Sequence, residues 1–229
     1  MRIWAFIGVL FAMLAGAAQA QDDERRDGAY VRVGAGATFL NNWEQDFTYN
    51  PNLVFIAPPP SGQSTEHGAG FTASAALGFD YADGIRTELE YRYAASPIDS
   101  VVQDTSLGPA PVTPANDAAN AHLLLANFYF DFYTDSRLTP FIGGGVGGAF
   151  VENESGARDA ALAYQGRAGV SYDLGGALFA DLEYIFLRTN KLAYGPDPED
   201  FTPMGPFGTA IAGVRYQSSS IMVSLRKHF

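Results

Sequence analysis

Four charged side chains spaced two residues apart, Arg86, Glu88, Glu90 and Arg92, are the clearest chemistry-bearing feature of this sequence. Spacing by two places them on one face of a β-strand, because successive side chains leave opposite faces of the pleat. Guanidinium and carboxylate groups crowded on one face can gate a narrow pore, or can neutralise one another in an enclosed space. Arg32, Arg167, Asp181, Glu183 and Arg226 fall on the equivalent parity of other segments. The three histidines, His67, His122 and His228, are dispersed, and Cys 0 removes thiol catalysis, disulfides and cysteine-ligated metal. No catalytic set, metal or cofactor is expected from them. The acidic stretch Asp197-Pro-Glu-Asp200 reads as solvated surface.

Residues 70–93 show how such charges are positioned. Phe71, Ala73, Ala75, Leu77, Phe79 and Tyr81 alternate with Gly70, Thr72, Ser74, Ala76, Gly78 and Asp80. After Ala82-Asp83-Gly84, Ile85, Thr87, Leu89, Tyr91 and Tyr93 alternate with the four charges. That is a strand period, and Asp83-Gly84 supplies the positive φ of a tight hairpin. For this hairpin alone two arrangements stay open: a soluble barrel or sandwich with the apolar set inside, or a membrane barrel with that set turned to lipid. The small residues on the polar face of the first strand suit a crowded interior better than a solvated surface.

The same alternation recurs over Ala29–Leu40, Asn120–Tyr133, Leu138–Val151, Ala160–Leu174, Ala177–Arg188 and a last strand ending at Phe229. Thr209–Tyr216 reads as an extension of that last strand, which keeps the strand count even. Gly143, Gly145 and Gly147 lie within a strand pattern and are read as room for large neighbouring side chains, not as a phosphate loop. Connections near Asp83, Asp135 and Gly175 are tight and 152–159 is brief, whereas 41–66, 96–119 and 189–208 are long and polar. Every proline except Pro140 falls in those three, where no ladder hydrogen bond is lost.

Composition narrows the class. The chain is rich in Gly, Tyr and Phe (25, 12 and 17) and carries a formal net charge of −11, which argues against a nucleic-acid partner and against any large basic site for anionic lipid. Met1 to Ala20 has the basic start, short apolar run and Ala-Gln-Ala end of a cleaved secretory leader, so residues 21–229 are expected to form the mature domain. No later segment is apolar enough for a spanning helix. Aromatic rows are expected at both rims: Tyr81, Phe132, Tyr172 and Phe229 on the tight-turn side, Phe39, Tyr93, Phe150 and Phe186 on the other. The fold expected is an eight-stranded antiparallel transmembrane β-barrel with short periplasmic turns and long extracellular loops.

Ser220-Ile-Met-Val-Ser-Leu-Arg-Lys-His-Phe229 resembles the terminal signal of bacterial outer-membrane barrels, with Lys227 where an aromatic is usual. Residues 139–147 and 163–172 also resemble the small OmpA/Opa-like barrel and surface-antigen superfamily. The resemblance implies a protein of the outer membrane, in contact with its lipid and lipopolysaccharide. It also implies delivery by the barrel-assembly machinery through Ile221, Val223, Leu225 and Phe229. Function is expected to be non-enzymatic: envelope integrity, or contact with a surface or host ligand through 41–66, 96–119 and 189–208. The alternatives are a narrow solute channel and a lipid-A-modifying enzyme. Small barrels with that activity keep a His–Ser arrangement on the lipid-facing wall, and His122 is the best candidate here.

Overall fold

A computed structural model describes residues 28–49, 58–81, 83–194 and 209–229. The expected leader, 1–20, and the acidic stretch 197–200 lie outside the described residues. Strands β1 (Gly28–Leu40), β2 (Trp43–Tyr49), β3 (Gly62–His67), β4 (Ala69–Tyr81), β5 (Ile85–Thr105), β6 (Gly108–Pro111) and β7 (Ala118–Asp131) make up the first half. They are followed by β8 (Leu138–Glu152), β9 (Arg158–Gly175), β10 (Leu178–Thr189), β11 (Leu192–Tyr194), β12 (Thr209–Val214) and β13 (Gln217–His228). Among the described residues no helix is long and apolar enough to cross a membrane, which says nothing of crossing by strands.

Eight strands close on themselves. The order β5-β4-β1-β13-β10-β9-β8-β7 returns to β5, and each neighbouring pair is antiparallel. Closure brings the first and last strands together, from Tyr30↔His228 to Leu40↔Ser218. It leaves the ring without an unpaired edge. The hairpin at Asp83-Gly84 turns through Gly84 at φ 79.

The period-two patterns resolve into an outward and an inward set. Leu77, Leu89, Phe150 and Val223 are 65%, 56%, 59% and 58% exposed on the outside, whereas Arg32, Arg86, Glu90, Arg167 and Glu183 are buried inside. Exposed apolar residues, among them Leu124, Phe128, Leu182, Tyr184 and Ile221, continue around the ring. A surface of that kind is stable against hydrocarbon and not against water. Room for the large inward side chains comes from glycine across the ladder: Gly143 faces Tyr129 in register, and a Cβ there would meet the Tyr129 ring at 2.5 Å.

The three long connections are not simple loops. β2, β6 and β11 lie within them, β3 runs one residue past the first, β12 begins just after the third, and β5 runs on to Thr105 where alternation suggested an end at Tyr93. The outer part of β5 leaves the ring to pair with β3 and β6, and β3, β2, β12 and β11 follow in order as a raised extension of the wall. Pro97, Pro109 and Pro111 therefore lie in strands. Pro109 and Pro111 sit on β6, which pairs only with β5, so no partner needs their missing N–H. Thr209–Val214 is a strand of its own, paired with β11 and β2, and not an extension of the last strand bonded to the ring. It does lead into β13 after only Arg215 and Tyr216, so the even count in the ring survives.

Candidate functional site

The inward charges fall into two layers. In the middle layer Arg32 donates to Glu88 from Nη2 (2.7 Å) and Nε (2.9 Å), and to Glu183 from Nη1 (2.6 Å). Arg167 donates to Glu90 Oε2 (2.6 Å) and to both oxygens of Glu183 (2.6 and 2.9 Å), and Arg92 donates to Glu90 (2.9 Å). Asn127 and Tyr129 complete the shells of Glu88 and Glu90. Three guanidinium groups thus meet three carboxylates, brought from β1, β5, β9 and β10 by closure of the ring.

The second layer lies nearer the tight turns. Arg86 grips Asp131 through two hydrogen bonds (2.7 and 2.8 Å) and lies 4.6 Å from the Tyr129 ring centroid. Arg226 reaches Asp181 (3.3 Å), Asp80 (3.5 Å), Ser171 (3.1 Å) and His228 Nε2 (2.9 Å). All nine charges anticipated from parity face inward, and the structure adds Asp80 and Asp131. Both lie on the inward parity of their strands, and that was the available signal. The void among Asp80, Asp131, Ser171 and Arg226 is only about 10 Å³, the lower limit for a single water.

Beyond the charges the interior turns apolar. Leu40, Leu123, Leu125, Val151, Ala163 and Leu187 form one buried cluster with Trp43, Leu192, Tyr194 and Tyr216. Leu123 and Leu125 therefore lie inward even though they sit on the polar parity of their strand. This cluster begins beside the middle layer, where Leu125 and Leu123 pair in register with Glu90 and Arg92, and continues into the raised extension through Trp43, Leu192 and Tyr194.

The extension has a polar inner face. Trp43 and Gln45 on β2 oppose Thr65 and Gln63 on β3. Glu154, from the β8–β9 turn, crosses to this face and accepts at Oε1 from Gln45 Nε2 (2.9 Å) and Gln63 Nε2 (2.6 Å). Glu154 Oε2, Gln45 Oε1, Thr65 Oγ1, Trp43 Nε1 and the Tyr194 hydroxyl are buried without a protein partner among the described residues. Burial, reinforced by Glu154, raises the Tyr194 phenol above its usual range. His67 packs on Trp43 with ring centroids 4.7 Å apart, and burial lowers its imidazole to about 4 against the opposing pull of Asp99. Sequence reasoning missed this polar face, which has no apolar stripe to betray it. Among the described residues no group of three or more metal-ligating side chains occurs.

Known proteins share this arrangement. A family described as surface antigen matches residues 69–180. An outer membrane protein of Gluconacetobacter diazotrophicus is 28% identical over 163 residues, 64% of this chain and 42% of that one. The chain is thus similar to surface-antigen and outer-membrane proteins. It spans less than half the length of that relative. Outer membrane protein OprG from Pseudomonas aeruginosa superposes with a TM-score of 0.59 at 14% identity, and Neisserial surface protein A with 0.52 at 16%. Each comparison covers 88% of this chain and 97% of the other, and at such identities shows the fold alone.

In an outer-membrane barrel the exposed apolar wall meets lipid. His122 is exposed on that wall near the start of β7, with Nδ1 2.7 Å from the Tyr91 hydroxyl. Ile221, Val223, Leu225 and Phe229 form an outward row along β13, and the Phe229 amide donates to Ala29 O at 3.1 Å.

Proposed function

We propose that this chain is a non-enzymatic eight-stranded transmembrane barrel whose raised extension stands outside the cell and makes surface contacts that support the envelope. Residues 1–20 are removed as a leader and 21–229 form the mature domain. The tight turns face the periplasm, and Ile221, Val223, Leu225 and Phe229 serve as the signal read by the assembly machinery. The nine anticipated lumen charges act as a paired plug that holds the wall, not as a conduction path.

The filled interior carries this reading. Each carboxylate of the middle layer is already engaged by a guanidinium, and the apolar cluster fills the interior from beside that layer into the extension. Neither a permeating ion nor a substrate finds an unoccupied charge there, and stripping one partner from a buried pair is costly. Strand length supports the orientation. β5 has 21 residues, roughly twice the 9–11 needed to cross a bilayer, and its last eight, 98–105, lie in the extension. Function is therefore placed on 41–66, 96–119 and 189–208, where polar strands are held at a fixed height above lipid.

The test replaces each of these segments by a short Gly/Asn turn and confirms folding by the gel-mobility difference between heated and unheated samples. Envelope sensitivity and adhesion of intact cells are then measured. Loss of either phenotype in a folded, trimmed variant is expected. Full retention of both would move function into the wall or lumen and favour the enzyme or channel reading.

A further inference from the structure

The ring and the extension do not join everywhere. The β1–β13 ladder ends at Leu40↔Ser218, with one further bond from the Asn41 amide to Gln217 O (2.9 Å), and β2–β12 pairing begins only at Asp46↔Ala212. Between these points the wall has a notch of about 230 Å³, lined by Asn41, Asn42, Glu44, Arg188, Arg215 and Gln217, with Trp43 also against it.

The charge in the notch is unlike that inside the ring. Arg32, Arg86, Arg92, Arg167 and Arg226 are each paired with a carboxylate. Arg188 and Arg215 have no carboxylate within 4.0 Å among the described residues, and Arg188 Nε is buried without a partner. On a chain of net charge −11, two unpaired guanidinium groups form a local positive site, offset in part by Glu44. Guanidinium forks match the oxygens of a phosphate, and the side-chain amides of Asn41, Asn42 and Gln217 can supply further donors.

The height of the notch indicates where that phosphate comes from. Phe39 and Phe186 both lie opposite Ser219 on the outward face, and Arg188 lies opposite Gln217, one outward position further on. Outward aromatic rows mark the membrane interface, so the next position beyond them meets headgroups. We infer that this notch binds a phosphate group of an outer-leaflet glycolipid, fixing the barrel laterally to its lipid. The inference rests on the proposed orientation for its lipid source, although the binding chemistry does not.

The test uses the full chain refolded in detergent with Trp4→Phe, which leaves Trp43 as its tryptophan fluorophore. It is titrated with phosphorylated lipid A, with the same lipid after enzymatic dephosphorylation, and with inorganic phosphate. A saturable Trp43 fluorescence change is expected with the phosphorylated lipid, weakened roughly tenfold by R188Q/R215Q and retained largely by R188K/R215K. Glu44→Gln should tighten binding, which keeps the idea testable if the double glutamine variant does not fold. Equal binding of both lipids, or no effect of these substitutions, would overturn the phosphate site. Inorganic phosphate competing as tightly as the lipid would overturn the glycolipid source. Detergent binding is blind to orientation, which impermeant labelling of Leu107 and Ser136 positions reads separately.

Discussion

Arg167→Ala removes the cation that links two strands of the middle layer. Arg167 is buried and bonds to Glu90 at 2.6 Å and to Glu183 at 2.6 and 2.9 Å. Its loss leaves Arg32 and Arg92 against Glu88, Glu90 and Glu183, one carboxylate in excess. Breaking a buried pair from one side costs about 3–5 kcal/mol. Glu90 keeps Arg92 and Glu183 keeps Arg32, so neither is wholly stranded and the lower end, about 3 kcal/mol, is expected. Arg167→Met should cost less by retaining stem volume, and R167M/E183Q should recover part of the remainder by restoring neutrality. Leu182→Val, on the outward face, should cost no more than about 1 kcal/mol, the transfer of one methylene, because lipid fills the lost volume and leaves no cavity. Reversible urea unfolding in phospholipid vesicles, followed by Trp43 fluorescence and gel mobility, gives these differences. Equal costs for Arg167→Ala and Leu182→Val would refute the division between a charged interior and a lipid-facing wall.

Deleting Phe229 should reduce insertion in cells while leaving refolding in detergent largely intact, as measured by outer-membrane yield against refolded fraction. Normal insertion of the truncated chain would exclude the recognition role. The extension should loosen as pH falls from 6.5 towards 4. Burial depresses folded His67 to about 4, so over that window the unfolded state binds the extra proton and stability is lost as pH drops. Hydrogen exchange in β2 and β3, corrected for intrinsic rate, should rise between pH 7 and pH 5 more than in the ring, and His67→Asn should flatten the difference. An unchanged profile in His67→Asn would assign the loosening to other groups.

The ring was legible because one face of each of its strands is apolar. Leu77, Leu89, Leu182 and Val223 mark the period of two plainly, and the tight turns at Gly84 and Gly175 mark its breaks. The inward charges followed from the same parity. Asp80 and Asp131 escaped because each sits at a strand end, where an acidic residue reads equally well as part of a turn. Leu123 and Leu125 blurred the parity of β7 for a different reason: the interior changes from charged to apolar along its axis, so a uniform polar-inside rule fails there. The extension was hidden more deeply. β3 reads Gly-Gln-Ser-Thr-Glu-His, and its inward Gln63 and Thr65 face the polar region around Glu154, so no hydrophobic alternation exists to be seen. The last strand and β12 were merged because only two residues separate them, whereas their hydrogen-bond partners differ entirely.

The absence of cysteine from the sequence makes orientation directly measurable. Leu107, 99% exposed at the tip of the β5–β6 hairpin, and Ser136, exposed in the β7–β8 turn, lie at opposite ends of the barrel. With Leu107→Cys and Ser136→Cys introduced singly, intact cells are treated with a membrane-impermeant maleimide before and after permeabilising the outer membrane. Leu107→Cys should label in intact cells and Ser136→Cys only after permeabilisation. Labelling of Ser136→Cys in intact cells, with Leu107→Cys protected, would place the extension in the periplasm and contradict a surface-contact role.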